Sequence, residues 1–361
     1  MNKKISFLII SLFLISVIAP ISALAKQAEP RVHALVGPPS WLFGDDTTYD
    51  WEDDDPETQW GIERIYAVTA SDATETQYDQ QIIVAVVDTG IDLDHPDLAQ
   101  NIAWSYDEIN DINGGGDDDN GHGTHCAGII AAIKDGNGVV GVNPYIKLYA
   151  IKVLDRRGSG SYTDVADGII RAAKGPDGII DTDDDADVIS LSLGGTYDSP
   201  EVHSAVQYAY NHGIVIVAAA GNDGDGDSST DEISYPAAYD EVIAVGATKK
   251  DDTIASFSNS GPYVELVAPG YDIYSTYKNG GYETLSGTSM ACPHVSGVVA
   301  LILAMALQKY GHKLPVGSFG DTETDTVRGI LHNCGLDLGT AGWDPSFGYG
   351  LVMADTAVSL V

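Results

Sequence analysis

Positively charged side chains are scarce in this chain. Its 361 residues include 18 Lys and Arg against 53 Asp and Glu, which gives a formal net charge of −35 at pH 7. Binding to nucleic-acid backbones or to anionic lipid requires Lys and Arg that neutralise phosphate. We therefore expect no nucleic-acid partner and no electrostatic attachment to a membrane.

Cysteine is also rare, with three residues in the chain, Cys126, Cys292 and Cys334. No pair has the C-x-x-C spacing of zinc and redox sites, so neither chemistry has support. In an exported protein the three could form one disulfide and one free thiol, or remain three free thiols. For Cys126 and Cys292 we favour buried free thiols, because a free cysteine behaves as a small apolar side chain.

Hydrophobic residues are abundant by contrast, at 44 % of the chain, so that a large core can form and extensive disorder is excluded. Aspartate makes up 41 of the 53 acidic residues. Helix surfaces accept Glu at least as readily as Asp, whereas Asp suits turns and ligates hard cations. The excess of Asp therefore indicates acidic residues concentrated in loops.

Residues 1–25 have the pattern of a secretory signal peptide. Lys3 and Lys4 precede an apolar run over residues 5–19, and small residues at Ala23 and Ala25 mark a cleavage site after Ala25. An uncleaved membrane anchor is the alternative, but the run is short for a transmembrane span. We expect a secreted protein with no stable membrane association after cleavage.

Residues 26–60 have little apolar periodicity and carry the acidic stretch Asp50–Asp55, so we interpret them as a short, processed or loosely ordered leader.

After residue 60, apolar runs without polar alternation indicate strands buried on both faces of a parallel sheet. Helical patterns lie between them, one with Ser199 as its cap and Pro200 in first position. This predicts an α/β fold with a mostly parallel central sheet. The runs are Ile82–Val87, Leu148–Leu154, Val188–Leu193, Ile214–Ala220 and Val242–Ala247.

Four polar residues lie next to these elements. Asp88 directly follows one apolar strand, and Asn222 follows another strand and a glycine. His122 lies between glycines before an apolar helix, and Ser289 opens a long apolar helix. Each has an ordinary structural explanation, as a turn residue, a structural histidine or a helix cap. Together, however, they have the chain order Asp, His, Ser of one known catalytic triad.

From about Trp60 to its C-terminus, the chain resembles the subtilisin-like serine proteases. The resemblance implies a three-layer α/β fold, with helices flanking the central sheet, and a single catalytic domain at residues 61–361. It also implies a monomeric endopeptidase of broad specificity that acts on proteins and peptides. The motifs that carry it are Val87-Asp88-Thr89-Gly90-Ile91-Asp92, Gly121-His122-Gly123-Thr124-His125, Ala220-Gly221-Asn222, Gly287-Thr288-Ser289-Met290-Ala291-Cys292-Pro293-His294, Ser192-Leu193-Gly194-Gly195, Ser234-Tyr235-Pro236-Ala237 and Tyr349-Gly350-Leu351-Val352.

The resemblance also assigns catalytic roles. Ser289 is the nucleophile, His122 is the general base and then the acid, and Asp88 orients the imidazole. Asn222 and the backbone N–H of Ser289 stabilise the oxyanion. No cofactor is expected for catalysis.

In this family the substrate adds as an extended strand between two segments. The matching segments are Gly158-Ser159-Gly160 and Ser192-Leu193-Gly194. The pocket for the residue before the scissile bond (P1) is then walled by Ser192–Gly194 and Ala219-Ala220-Gly221, with Ser234 near its floor. These small walls predict medium or large apolar P1 residues, whereas Asp223 at the rim is an argument for basic ones.

Calcium is the metal that the acidic loops suggest, as a structural ion. Asp181, Asp183 and Asp185 alternate in one loop, which can direct several oxygens at one hard cation, although a solvated acidic loop is the alternative. The resemblance implies a second site, at which Asp97 joins the loop at residues 133–139. The ligands there would be the Asp135 side chain and the carbonyl groups of Ile133, Asn137 and Val139. The N-terminal ligand of that site cannot be placed from the sequence.

The leader departs from the family pattern. Secreted subtilases usually carry an inhibitory propeptide domain of several tens of residues, and residues 26–60 are too short and too poorly patterned for one. Latency and assisted folding are therefore in doubt. Two other functions stay open, a catalytically silent binding protein with this fold and a calcium-dependent structural or adhesive protein.

Overall fold

A computed structural model describes residues 30–35, 59–227 and 229–361. The signal-peptide prediction and most of the leader, at residues 36–58, lie outside the described residues. In chain order the elements are β1 (Arg31–Ala34), α1 (Trp60–Arg64), α2 (Ala67–Ser71), α3 (Thr76–Asp79), β2 (Ile83–Asp88), β3 (Ile102–Asp107), β4 (Ile112–Asn113), α4 (His122–Ala131), β5 (Lys147–Lys152), β6 (Ser159–Ser161), α5 (Tyr162–Lys174), β7 (Val188–Leu191), β8 (Leu193–Gly194), α6 (Pro200–Asn211), β9 (Val215–Ala219), β10 (Val242–Thr248), β11 (Val264–Pro269), β12 (Ile273–Tyr277), β13 (Gly281–Leu285), α7 (Thr288–Tyr310), α8 (Val327–Cys334) and α9 (Ala354–Leu360).

Eight strands form the central sheet in the order β11-β10-β9-β7-β2-β5-β3-β4. All neighbouring strands are parallel except β4, which pairs antiparallel with β3 at one edge. The five predicted strands are all present, although the run at residues 188–193 divides into β7 and β8. The predicted α/β fold with a mostly parallel sheet is confirmed.

The two faces of the sheet are covered by different helices. In β2, Val84 and Val86 belong to the apolar core that contains α4 and α7. Ala85 and Val87 belong to the core that contains α5 and α6, because successive strand residues point to opposite faces. The result is the predicted three-layer arrangement. The predicted helix cap at Ser199 is also present, and its hydroxyl accepts a hydrogen bond from the N–H of Val202 at 3.4 Å.

Helix α7 is the one helix in the described ranges that is long and apolar enough to cross a bilayer. Within its most apolar window, 89 % of the residues are buried inside the protein. Its length and apolarity are therefore explained by its place in the core, beside β7, β9 and β10.

Strand β1 belongs to the leader, which the sequence predicted to be processed or loosely ordered, and it is an ordered strand at Arg31–Ala34. It lies between β6 and β8 in a separate three-stranded antiparallel sheet. Four residues are too few to fold alone, so their extended conformation depends on pairing with a neighbour on each side. Sequence periodicity could not reveal partners that lie more than 120 residues away.

Candidate active site

Asp88 and His122 form a buried hydrogen-bonded pair. Asp88 is the last residue of β2, and His122 is the first residue of α4, after Gly121, whose φ of 115° favours glycine. His122 Nδ1 lies 2.8 Å from Asp88 Oδ1. Since a carboxylate only accepts, Nδ1 carries the proton and Nε2 is left free to accept one. Burial lowers the pKa of His122, but the charge and hydrogen bond of Asp88 outweigh it and the net pKa is raised.

Asp118 holds the start of α4 in place. Its Oδ1 accepts from the N–H groups of Asn120 and Gly121, both at 2.9 Å, and its Oδ2 accepts from the N–H of Thr124 at 3.0 Å. Asp118 is 7 % exposed and also contributes to the raised pKa of His122. In the sequence it was only one member of an acidic run, so this supporting role was missed.

The side chain of Ser289 lies in the same site, at the start of α7. Its Oγ donates to the carbonyl oxygen of Ser192 at 2.9 Å, and its own carbonyl lies 3.4 Å from the Sγ of Cys126. That sulfur lies within 4.8 Å of the nearest donor atoms of Asp88 and His122. His122 Nε2 has no hydrogen-bond partner among the described residues, so Ser289 and His122 are not hydrogen-bonded to each other in this arrangement.

Asn222 directs its amide nitrogen into the cleft. Its Oδ1 accepts from the N–H and the hydroxyl of Thr288, at 2.9 and 3.0 Å. Both donors fix the orientation of the carboxamide, which leaves Nδ2 as the group facing the cleft. Nδ2 donates to the carbonyl oxygen of Leu35 at 2.6 Å.

The cleft contains the protein's own leader strand. β1 pairs antiparallel with both of the segments that the sequence assigned to substrate binding, Gly158-Ser159-Gly160 and Ser192-Leu193-Gly194. The N–H of Ala34 donates to the carbonyl of Gly158 at 3.0 Å, and that of Leu35 donates to the carbonyl of Ser192 at 3.2 Å. The chain therefore lies where an extended peptide is expected, with Leu35 next to Asn222, the predicted oxyanion donor.

The side chain of Leu35 lies against small residues. A Cβ atom added at Gly194 would lie 3.1 Å from Leu35 Cδ1 and 2.5 Å from Ser234 Oγ. A Cβ at Gly221 would lie 3.1 Å from Ser234 Cβ. Ser234 is therefore placed between the two predicted walls, and Ala219 and Ala220 of the second wall are completely buried.

All three cysteines are free and buried. Burial raises the pKa of each thiol, well above its ordinary value for Cys126, to about 11 for Cys292 and to about 12 for Cys334. They are therefore protonated at neutral pH, so that none of them competes with Ser289, the predicted nucleophile.

Asp97 and the loop at residues 133–139 lie together, as the predicted calcium site requires. Asp97 Oδ2 accepts from the N–H of Val139 at 3.0 Å, and the Asp97 carbonyl accepts from the N–H of Ile133 at 2.9 Å. Asp135 accepts from the N–H of Asn137 at 2.9 Å. Carboxylate and carbonyl oxygens are the donors that calcium prefers, so these residues fit the ion.

Gln59 adds a contact that the sequence did not predict at this loop. Its Oε1 accepts from the N–H of Val140 at 2.7 Å, and its Nε2 donates to the Val140 carbonyl at 2.8 Å. The start of the folded domain is thereby fixed beside the predicted calcium loop.

The other predicted calcium ligands do not converge. Asp181 Oδ1 lies 3.0 Å from His212 Nδ1, Asp185 Oδ2 accepts from the N–H of Thr182, and Asp183 is exposed. Within the described part of the chain, no three acidic side chains of this loop lie within 4.8 Å of one another. Alternation shares one face only in an extended segment, and this loop turns at Asp181, where φ is 64°.

Comparison with known proteins agrees with this geometry. The model of the subtilase family of peptidases matches residues 79–350. The intracellular serine protease of Paenibacillus polymyxa is 47 % identical over 249 residues, which is 68 % of this chain and 73 % of that protein. Thermitase of Thermoactinomyces vulgaris is 44 % identical, over 68 % of this chain and 81 % of its own length. Subtilisin DY of Bacillus licheniformis is 42 % identical, over 76 % and 89 % respectively. The chain belongs to the subtilase family and is a serine protease.

Proposed function

We propose that this protein is a secreted serine endopeptidase that cleaves after medium or large apolar residues, with Asp88, His122 and Ser289 as its triad. The observation that carries the proposal is the position of Leu35, whose carbonyl oxygen accepts from Asn222 Nδ2 at 2.6 Å. A substrate carbonyl in that position has the oxyanion donor and the nucleophile on adjacent sides.

The chemistry follows from the groups present. Ser289 Oγ rotates from the Ser192 carbonyl to His122 Nε2, loses its proton there and attacks the substrate carbonyl carbon. Asn222 Nδ2 donates to the developing oxyanion, and Asp88 stabilises the imidazolium. His122 then protonates the leaving amine as the C–N bond breaks, which leaves an acyl-enzyme. Water, deprotonated by His122, hydrolyses it.

A preference for apolar P1 residues is supported by the small residues around Leu35. A Cβ added at Gly194 would lie 3.1 Å from Leu35 Cδ1 and 2.5 Å from Ser234 Oγ, and neither Gly194 nor Ser234 carries a charge. We expect peptides with Leu or Phe at P1 to have the highest kcat/KM in a series that differs only at that residue. A higher value for Lys would overturn this preference and would favour a role for Asp223.

A fluorophosphonate probe tests the protease assignment. The wild-type protein should be labelled at Ser289, and Ser289→Ala should not. Absence of labelling and of peptide hydrolysis in the wild type would instead favour a silent binding protein or a calcium-dependent adhesive protein.

Secretion is supported by the pattern of residues 1–25, although two of the relatives are named as intracellular proteases. Fractionation of the producing cells and N-terminal sequencing of the mature protein test this. We expect the protein outside the cells, as a monomer and not bound to membranes.

Self-inhibition is a further part of the proposed function. The leader strand occupies the cleft with hydrogen bonds to both flanking segments, so a peptide substrate must displace it. A strand of this length is enough to fill the subsites that precede the scissile bond. Cleavage between Leu35 and Val36 would release it.

Structural calcium at Asp97 and the loop at residues 133–139 is supported by the contact between them, in which the N–H groups of Val139 and Ile133 donate to the carboxylate and the carbonyl of Asp97. Bound there, the ion would hold the loop to the segment around Asp97, distant from the reaction itself. The loop with Asp181, Asp183 and Asp185 is the weaker candidate, because its carboxylates point apart.

A further inference from the structure

Asn259 holds the backbone of Asn222 on both sides. The N–H of Asn259 donates to the carbonyl of Gly221 at 3.0 Å, and its Oδ1 accepts from the N–H of Asp223 at 2.7 Å. These two groups belong to the peptide units that immediately precede and follow Asn222. The two hydrogen bonds therefore restrain the backbone angles of Asn222 itself.

The same side chain also bonds to the segment that precedes Ser234. Its Nδ2 donates to the carbonyl of Glu232 at 3.0 Å and lies 3.4 Å from the hydroxyl of Tyr263. That hydroxyl in turn lies 3.0 Å from the carbonyl of Ala220 and contacts the carbonyl of Glu232. Asn259 thus ties the segment that carries Asn222 to the one that leads into Ser234.

Close packing leaves little freedom for movement. Asn259 is 1 % exposed. A Cβ added at Gly221 would lie only 2.2 Å from Asn259 Nδ2, and Gly221 has φ +116°. Only glycine permits the backbone to approach the amide so closely, so the glycine before the oxyanion residue is needed for this contact.

We propose that Asn259 is a positioning residue for the oxyanion hole, acting on catalysis only through Asn222. This rests on the assignment of Asn222 as an oxyanion donor. The carboxamide of Asn222 is oriented by Thr288, but its distance from the substrate carbonyl depends on where its backbone lies. A donor displaced by about 1 Å can cost on the order of 10²-fold in rate.

Truncation of Asn259 should therefore weaken stabilisation of the transition state more than binding of the substrate. We expect Asn259→Ala to lower kcat about tenfold and to leave KM within about twofold, the pattern of an interaction made in the transition state. Rates are expressed per active site, counted by fluorophosphonate labelling, so that a misfolded fraction does not contribute.

A double-mutant cycle tests whether the effect passes through Asn222. We measure kcat for Asn259→Ala, Asn222→Ala and the double variant. If Asn259 acts through Asn222, its truncation changes kcat by less than about twofold in the Asn222→Ala background. A full tenfold loss there, or an unchanged kcat for Asn259→Ala alone, would overturn the proposal.

A matched control is available in Asn143, another completely buried asparagine. It bonds to Asp79 Oδ1 at 2.9 Å and to the N–H of Tyr145, away from Asn222. Asn143→Ala should reduce thermal stability but leave kcat per active site unchanged. An equal loss of kcat in this control would show a general effect of truncating a buried asparagine and would overturn the proposal.

Two further outcomes are kept distinct. Should Asn259→Ala fail to fold, Asn259→Ser replaces it in the same cycle, because the serine hydroxyl is too short to reach the N–H of Asp223.

Failure of the protease assignment and failure of the positioning role give different results. An inactive and unlabelled wild type would contradict the protease assignment itself. An active wild type with a kcat that depends on Asn222 but not on Asn259 would contradict only the positioning role.

Discussion

Asn222 Nδ2 donates a hydrogen bond of 2.6 Å to the carbonyl oxygen of Leu35. The group that would stabilise an oxyanion during catalysis is therefore engaged by the protein's own chain. Leu35 also donates its N–H to the carbonyl of Ser192, to which the hydroxyl of Ser289 donates as well. One leader residue thus contacts Asn222 and shares the Ser192 carbonyl as an acceptor with Ser289.

Displacement of the leader strand should expose Ser289. Val32 is 1 % exposed and lies in the core cluster that contains Leu154 and Leu193. Burial of a valine contributes about 1.5–3 kcal/mol, and a carboxylate there costs more. We expect Val32→Asp to raise the initial rate of fluorophosphonate labelling of the unprocessed chain at least tenfold.

The neighbouring residue His33 provides the control for that experiment. It lies in the same strand and pairs with Ser159 and Gly194, but its side chain is exposed. His33→Asp should therefore label at nearly the wild-type rate. Equal labelling of all three proteins would mean that the leader does not limit access to the cleft.

Loss of the Asn222 carboxamide should reduce kcat while KM changes little. In subtilisin, removal of the corresponding oxyanion donor costs on the order of 10²–10³ in kcat. Family membership implies a similar loss for Asn222→Ala here, measured with a peptide that has Leu at P1. A kcat within threefold of wild type would remove Asn222 from the oxyanion hole.

The pH profile should reflect the raised pKa of His122. Burial lowers this pKa, but Asp88 and Asp118 raise it above the ordinary value of 6.5. Because His122 must be neutral to accept the serine proton, kcat/KM for an uncharged peptide should fall below a midpoint that lies above pH 6.5. The raised pKa also stabilises the folded state. This contribution is complete below the pKa that His122 has in the unfolded chain, and it is lost as the pH rises through the higher pKa of the folded protein. A midpoint below pH 6.5 would contradict the assignment.

Much of the fold and the triad could be predicted from the sequence. Parallel strands buried on both faces appear as continuous apolar runs, and the motifs around Asp88, His122 and Ser289 are local in the sequence. The sequence alone, however, does not distinguish the members of an acidic run. Asp118 is buried, whereas its neighbours Asp117 and Asp119 have the same side chain but are exposed. Four local hydrogen bonds explain the position of Asp118.

Long-range contacts explain what the sequence could not show. Strand β1 depends on partners in β6 and β8, and Asn259 contacts residues 27 to 38 positions away that lie in other loops. At Asp181, regular alternation predicted a shared ligand, whereas the backbone turns there with a φ of 64°. Patterns of composition predict elements well but do not predict where loops meet.

Removal of calcium should lower the thermal stability of the protein, because Asp97 is one of the proposed ligands of the ion. The carboxylate lies against the loop at residues 133–139, and an ion that binds only the folded state stabilises it by mass action. We expect the melting temperature of the wild type to fall when EDTA replaces calcium. Asp97→Asn should abolish most of that difference, whereas Asp183→Asn, at an exposed site, should retain it. Identical melting temperatures of the wild type in calcium and EDTA would sink the calcium proposal.

Arg328 and Glu265 should contribute strongly to stability, because both side chains are completely buried. Arg328 Nε donates to Glu265 Oε1 at 2.9 Å, Nη1 donates to the carbonyl of Asp240, and His332 Nε2 lies 2.7 Å from Glu265 Oε1. Replacing one partner leaves the other charge buried and unpaired, which costs about 3–5 kcal/mol. We expect Arg328→Met to lower the free energy of unfolding by this amount in urea.

The double variant Arg328→Met/Glu265→Leu separates the charge pair from general packing. It removes both buried charges, so it should recover part of the lost free energy of unfolding. The recovery is incomplete because the Asp240 carbonyl loses the hydrogen bond that Arg328 donates. Burial raises the pKa of Glu265, but Arg328 and His332 outweigh it and hold the net pKa below 4.5. The stabilisation is therefore present above about pH 4.5 and is lost as pH falls through the folded pKa. If the double variant is as unstable as the sum of both single variants, the two residues do not act as a pair.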